Sequence, residues 1–532
     1  MKKKGYSLIG LVCLLAFFNS CDDYFEFDRP ALQTEDEAWE TAADAVEAAT
    51  ACYVPMMWEY KGPFAPEWFI GDVCSDDALK GGESLSDTHL LYDMENFRTQ
   101  SDNSILLTFY QIQYFGVVRC NLLLENVPLM DSIVFKGEPA LQNRVIGEAR
   151  FLRALYYFRL VRVYGGVPWV DQVLKYQTDW KQVRATEEFI YEKIYEDLDF
   201  AIQYLPEKNG YAPEDLGRAT KGAARALLMR AYMNNHKYAE AKLQGEEIIK
   251  SGQYSLESDY AYVFTLEGEN GKESIFETQY MDESTTDAWN GLGLARGTIT
   301  VRYTRPRWGT GDGAGWGYNR PTQELYDEFE TGDPRREAAI YVPTETQVKP
   351  DDGYPNVYLG NRYTPRKYIM MRPDTTFIKL SHDTRGPINR KEIRYPDVLL
   401  MYAEACVETG DFANAVTVLN QVRQRARGGN PAILPNFPYG SYSNNAADLR
   451  KAIRHERRVE LAMEGHRWFD LKRWGILAET MNGYRSTTDP QIAAHMSEFV
   501  KGKHELFPIP LRERDLNSPM PQNPGYDGEP IP

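Results

Sequence analysis

Apolar positions recur at helical spacing over most of the chain. Residues 143–164 are the densest case. Val145, Ala149, Leu152, Tyr156 and Val163 share one face, and Phe151, Leu155, Phe158 and Val161 fill the others. A helix apolar on nearly every side is buried among other helices. Its stop is written as Tyr164-Gly165-Gly166, with Pro168 just beyond. The same period predicts helices over 103–127, 186–205, 219–234, 238–251, 396–409, 412–427 and 446–464, and an amphipathic segment begins near Glu37.

Two of these stretches are alike. LLMRAYMNNHKYAEA (227–241) and LLMYAEACVETGDFANA (399–415) both run helix, short turn, aromatic-x-x-Ala, helix, so that Tyr238 with Ala241 matches Phe412 with Ala415. This is the logic of a helical-hairpin repeat of the tetratricopeptide type, the Ala letting two helices approach and the ring plugging the gap. Between the pairs lies a segment longer than a loop should be. Over 261–387 the pattern changes: ESIFETQY (273–280) reads as a short strand, and glycines from Gly291 to Gly317 rule out regular helix. The expected fold is therefore mainly α. A tetratricopeptide-like helical-hairpin scaffold (37–260 and 388–480) is interrupted by an irregular, loop-rich insertion with few short strands (261–387) and followed by an irregular C-terminal segment (481–532). Loops on a rigid scaffold are where binding is expected.

The N-terminus adds a destination. Lys2, Lys3 and Lys4 precede a short apolar run from Ser7 to Phe18, too short for the roughly 20 residues a spanning helix needs. Residues 1–20 thus read as a signal peptide. Phe18-Asn19-Ser20-Cys21 resembles the lipobox of bacterial lipoproteins, with Phe18 in place of the usual Leu. The resemblance implies cleavage before Cys21, acylation of Cys21, and palmitate-type chains as the anchor. Residues 21–36 read as a tether. Asp22, Asp23, Glu26 and Asp28 make it acidic, like the surface-export signal of Bacteroidota lipoproteins.

Removing residues 1–20 takes away three lysines and no acid, so the net charge moves from −17 to −20. That excludes nucleic acid, whose phosphates need Lys and Arg, and favours neutral or cationic ligands. Cys52, Cys74, Cys120 and Cys406 show no C-x-x-C spacing, so no metal site and no cofactor are expected. Aromatic residues are abundant, with 35 Tyr, 23 Phe and 10 Trp, and this supply bears on the ligand.

One stretch looks like chemistry: RHERRVELAMEGHRWFDLKRWG, Arg454 to Gly475. A zinc peptidase helix needs a second His four residues after the first, but His455-Glu456 is followed by Arg457, Arg458 and Val459. Glu456, Glu460 and Glu464 share a helix face with Arg454, Arg457 and Arg458 a turn or less away, which predicts a local ion-pair ladder rather than catalysis.

That stretch resembles the hallmark segment of the SusD/RagB family. So do EARFLRALYYFRLVRVYGGVPWV (148–170), GDVCSDDA (71–78), RYPDVLLMYAEA (394–405), GWGYNRPTQELYDEFE (315–330) and LFPIPLRERDLNSPMPQNPGY (506–526). They follow family order from end to end. The resemblance implies a lipid-anchored, surface-exposed outer-membrane lipoprotein. It would capture nutrient, usually a glycan, and act as a lid on a SusC-like TonB-dependent transporter.

Sugars present flat C–H faces rimmed by hydroxyls, and Trp and Tyr offer a wide apolar face with a polar handle. Trp289, Trp308 and Trp316 fall in the Gly-rich insertion, with Tyr303 and Arg305 between them. Trp58 and Trp68 flank KGPFAPE, and Asp76, Asp77 and Lys80 follow in SDDALK; Asp76 is equally a candidate cap for the turn at Ala78. These ten residues are the expected ligand contacts.

The expected function is glycan binding without turnover. A glycoside hydrolase would need two carboxylates about 5–9.5 Å apart across a cleft, and no segment resembles one. Peptide capture, as in RagB-like proteins, and a purely structural lid are the other readings.

Overall fold

The computed structural model describes residues 37–282 apart from 139, residues 296–307 and 311–343, and residues 363–531 apart from 374, 375 and 383. The expected signal peptide, tether and Cys21 lie outside these residues. Among them, no helix is long and apolar enough to cross a membrane.

The fold is mainly α, as the apolar period predicts. The scaffold comprises α1 (Ala42–Tyr53), α2 (Ser104–Asn126), α3 (Leu141–Tyr164), α4 (Glu187–Tyr204), α5 (Lys221–Asn234), α6 (Tyr238–Ser251), α7 (Tyr395–Glu408), α8 (Phe412–Ala426) and α9 (Ala446–Glu460). At the centre, α3 packs on α1, α2 and α4, and its side chains from Phe151 to Tyr164 are buried all round. It ends at Gly165, which adopts φ +70°. From α3 the layers continue through α4 to α5, then α6, and across to α7, α8 and α9.

The two matched hairpins, α5–α6 and α7–α8, stand side by side although the insertion separates them in sequence; Gly245 of α6 lies against the Tyr402 ring of α7. Ala241 and Ala415 are fully buried, as the repeat logic requires. The aromatic plugs are not: Phe412 is exposed and Tyr238 half-buried. The small residue alone sets the helix approach, and the ring covers its outer edge.

The predicted strand is present as β2 (Ser274–Thr278), paired antiparallel with β4 (Arg390–Arg394) in the register Thr278↔Arg390. This clasp closes the base of the insertion. A second short pair, β1 (Ala78–Gly81) with β3 (Tyr318–Pro321), ties the insertion to the N-terminal region. The insertion also carries short helices at Thr300–Thr304, Gln323–Glu328 and Pro334–Ala339. The C-terminal segment is likewise broken by helices at Leu477–Thr487, Pro490–Ala493 and Leu511–Leu516.

Helix α9 stops at Glu460 rather than 464, because Met463 and Gly465 take positive φ. Its charges do not form the expected local ladder. Glu456 accepts from Arg335 and Arg423 at 2.5 and 2.8 Å, and Glu460 from Arg335, Arg394 and Arg425 at 3.0, 3.1 and 2.5 Å. Glu464 accepts from Lys367 and Arg394, each near 2.7 Å. In return Arg457 reaches Asp397 and Asp470, and Arg458 reaches Asp76, Asp77 and Glu328. Every partner is distant in sequence, apart from the Arg457–Asp470 pair 13 residues apart. Burial would raise the Glu464 carboxyl, but Arg394 and Lys367 outweigh it and bring it to about 2. Burial works against charge on His455 too, yet Glu328 and Glu330 lift it to about 9. The stretch that looked like chemistry is a buried ionic hub joining scaffold, insertion and N-terminal region. Trp468, Phe469 and Leu471 pack in the core beside it. Cys52, Cys74, Cys120 and Cys406 are free and buried.

Candidate functional site

A cluster of rings runs from the interior to the surface where the N-terminal region meets the insertion. It begins with Glu59, a buried carboxylate that accepts from Thr298 Oγ1, Ile299 N and Thr300 Oγ1 at 2.8–3.1 Å. Those bonds fix the base of a tight hairpin in which Tyr60 bridges Phe64 and Ala65 N donates to Glu59 O. Tyr60 and Phe64 lie with ring centroids 4.7 Å apart. Phe64 meets Tyr303 edge-on at 5.0 Å and Trp316 at 5.9 Å, and Tyr303 meets Trp316 at 5.2 Å. Behind them stand Tyr318 and Trp68, at 4.3 and 5.8 Å from Tyr303.

The outer members, Tyr60, Phe64 and Trp316, are half-buried; Tyr303, Tyr318 and Trp68 are buried. Only the outer three can offer a face to a ligand. Trp316 is held in place because its backbone N–H donates to Arg302 O at 3.0 Å, while Arg302 Nη1 donates to Ala314 O at 2.6 Å.

Beside Trp316 lies the 81–88 loop. Gly82 N donates to Gly317 O at 3.0 Å, and Thr88 Oγ1 and Tyr318 OH are 2.8 Å apart. The loop is folded around Lys80, whose ammonium donates to the carbonyls of Gly81, Ser84 and Asp87 at 2.9, 3.0 and 2.8 Å. Burial pulls the Lys80 ammonium down to about 8, against the pull of Glu95 and Asp87. On the outside of the loop Glu83 is paired with Arg307 at 2.8 Å. Rings with a guanidinium and a carboxylate at their rim can cover an apolar face and bond the hydroxyls around it.

The ten expected contacts divide sharply. Trp289 and Trp308 lie outside the described residues. Trp316 is on the cluster with a face outward. Trp58 is half-buried elsewhere, edge-on to Phe115 of α2 at 5.8 Å with Arg119 stacked 5.0 Å over it. The other six are interior, and their role is corrected accordingly. Trp68 donates from Nε1 to Thr300 Oγ1 at 3.2 Å, and Tyr303 is the hub of the ring cluster. Arg305 clamps three segments through Ile369 O, Asp312 O and Ile378 O, and burial draws it down to about 10. Asp76 is bonded bidentate by Arg467 at 2.8 and 2.9 Å, so it is neither a ligand contact nor a helix cap. Burial would raise its carboxyl, but Arg458 and Arg467 hold it well below the usual range. Asp77 meets Arg458, although burial wins there and its carboxyl is raised. Lys80 is the internal cation of the loop.

Sequence reasoning missed Tyr60 and Phe64. The signal was present: an aromatic on either side of Lys61-Gly62-Pro63 reads as a turn displaying two neighbouring rings.

Comparison with known proteins agrees with the architecture. Residues 272–526 match the pattern of the SusD family, and residues 42–233 match a family described as starch-binding, associating with outer membrane. SusD-like protein P2 of Formosa agariphila is 27% identical, the match covering 98% of this chain and all of that one. A solved laminarin-binding SusD-like protein is 28% identical with a TM-score of 0.76, covering 92% of this chain and all of its own. Surface glycan-binding protein A from Bacteroides thetaiotaomicron, solved in complex with laminarihexaose, is 26% identical with a TM-score of 0.75, covering 91% and 99%.

Proposed function

The chain belongs to the SusD family, and from that premise we propose that it is a cell-surface glycan-binding lipoprotein. In this reading it delivers oligosaccharide to a SusC-like TonB-dependent transporter and cleaves nothing. Acyl chains on Cys21 hold it to the outer membrane, since more than one chain gives firm anchoring.

The observation that carries the reading is the half-buried ring group of Tyr60, Phe64 and Trp316, with the loop that bears the Glu83–Arg307 pair bonded to Gly317 beside it. Arg307 is followed in the sequence by Trp308. The binding of laminarin and laminarihexaose by relatives makes a β-glucan oligosaccharide the first ligand to try. The non-catalytic reading is supported by the fate of the Arg454–Gly475 stretch, whose glutamates are committed to buried ion pairs.

Calorimetry on the mature chain with laminarihexaose, other gluco-oligosaccharides and basic oligopeptides tests the proposal. A glycan is expected to bind. Phe64→Ala, Trp316→Ala, Trp289→Ala and Trp308→Ala should each weaken it by roughly 1–3 kcal/mol, the worth of one aromatic side chain leaving water. Binding of peptide alone would overturn the glycan reading. Release of reducing ends from polysaccharide would overturn the non-catalytic one.

A further inference from the structure

A cavity of about 240 Å³ lies where three segments meet: the end of α1 with the turn that follows it, the strap 213–218, and the end of β2. It shares no lining residue with the ring cluster. The strap is fixed from behind. Arg218 donates from Nε to Asp215, from Nη1 to Glu148 and from Nη2 to Thr50 Oγ1, at 2.6, 3.0 and 3.0 Å. Gly217 takes φ +96° and lies against β2 so closely that a methyl group on it would stand 2.7 Å from Gln279 Cδ. The walls are thus preformed, as those of small-molecule pockets usually are.

What remains for a guest is apolar, because the polar side chains along the wall are spent on one another. Tyr53 OH donates to Glu148 at 2.8 Å and accepts from Ala219 N at 2.9 Å. Thr278 Oγ1 donates to Glu392, and Gln279 exchanges two bonds with the Asn270 amide at 2.9 and 3.0 Å. Glu277 accepts from Lys391 and Asn389. The rest of the lining is Val54, Met56, Met57 and Leu216, with the Tyr53 ring beside them. Leu216 is 55% exposed and marks the mouth. A hydroxyl-rich sugar ring would leave its polar groups unmet in such a space, at a cost.

Three features describe the guest that fits. An apolar cavity of about 150 Å³ takes benzene, so this one has room for a single ring with a short substituent. Methionine thioethers make favourable contacts with aromatic rings and adapt to their outline, and two of them line the wall. Among the charged residues of the lining, Arg218 is matched by Asp215 and Glu148 and Glu277 by Lys391, while Glu214 stands exposed at the edge. A carboxylate on the ring would therefore be desolvated without a cation to receive it.

We infer that this cavity is a second ligand site, which takes an aromatic ring without an acidic group, either free or carried as a substituent on a sugar. The inference goes beyond the glycan reading and does not rest on it.

The test is titration of the full mature chain by saturation-transfer NMR with benzyl alcohol, phenyl β-glucoside and benzoate. The ring of benzyl alcohol or of the glucoside is expected to bind, and benzoate to bind roughly tenfold more weakly than the better of them. Leu216→Glu changes an exposed position, and Met57→Trp fills the space. Each should weaken the ring roughly tenfold, the worth of one large apolar contact, with the unfolding midpoint unchanged. Binding of both probes supports the site with a free ring as its guest. Binding of the glucoside alone supports it with a ring borne on sugar. Absence of binding by both, or binding unaltered in both variants, would overturn the assignment. So would displacement of the probes by laminarihexaose, which would put them on the ring cluster.

Discussion

Gly71 and Gly465 meet backbone to backbone. A methyl group built on Gly71 would lie 2.0 Å from the Gly465 carbonyl oxygen, and Gly465 itself takes φ +81°. Gly71 belongs to the turn Phe69–Val73, and the next residue, Asp72, accepts from Gly465 N at 2.8 Å. Two segments nearly 400 residues apart are thereby locked where the ring cluster is rooted. Because backbone stands in the way, Gly71→Ala is expected to destabilise by about 3 kcal/mol, the upper part of the range for overpacking. Urea denaturation would measure it, and a variant as stable as wild type would show that this contact can part without cost.

Asp72 should make stability depend on pH. Burial lifts its carboxyl to about 7, beyond what the bonds from Asn319 and Gly465 offset. A carboxyl whose folded value exceeds its unfolded one stabilises the fold fully below about pH 4 and loses that contribution as pH rises through about 7. Asp72→Asn removes the titration. The variant is expected to match wild type near pH 4 and to exceed it by about 2–4 kcal/mol near pH 8, from the worth of a displaced pKa. Denaturation midpoints across that interval check the sign; a difference that does not vary with pH would exclude Asp72 as the source.

Arg394 holds the ionic hub together. It bonds Glu273, Glu460 and Glu464, all buried. Arg394→Met leaves these carboxylates short of a cation and is expected to cost about 3–5 kcal/mol. Adding Glu464→Gln should recover part of the loss, since one stranded charge is then gone. Chemical denaturation of both variants measures the coupling.

Lys80→Met tests the internal staple of the 81–88 loop. Three carbonyls lose a charged donor, which is worth about 1.5–3 kcal/mol in all when partly offset by water. Hydrogen exchange of the Gly82 to Asp87 amides should quicken while α3 and α7 stay protected, and oligosaccharide affinity should fall if the loop borders the ligand. Unaltered exchange in the loop would mean that its pairing with Gly317 suffices.

The helices were legible in sequence because their cause is local: a period of apolar positions, and for two of them a glycine at the stop, Gly165 and Gly252. The ionic hub was legible only as charge. Helical spacing offered Arg457 and Arg458 as partners for the glutamates beside them, whereas the actual partners are brought together by tertiary packing from Asp77, Arg335 and Arg394. The same limit governs the site. Asp76, Asp77 and Lys80 have the chemistry of ligand contacts, but residue type does not reveal which side of the surface a charge occupies. Trp316 is among the expected contacts from its place in a glycine-rich insertion, and it is half-buried in the ring cluster. Tyr60 and Phe64 are marked in sequence only by the turn Lys61-Gly62-Pro63 between them, and their ring contact is made by the backbone bridge that closes that turn.

The clasp between β2 and β4 has an evolutionary reading. The chain departs from the helical frame at Thr278 and comes back to it at Arg390, two positions that face each other across the strand pair. The stretches between the insertion's anchors at Tyr318–Pro321, Arg335 and Lys367 can grow or shrink while the ends stay put, and doubling such a span adds only about 0.6 kcal/mol of closure entropy. One frame can thus be refitted for different foodstuffs by editing a single interval of the gene.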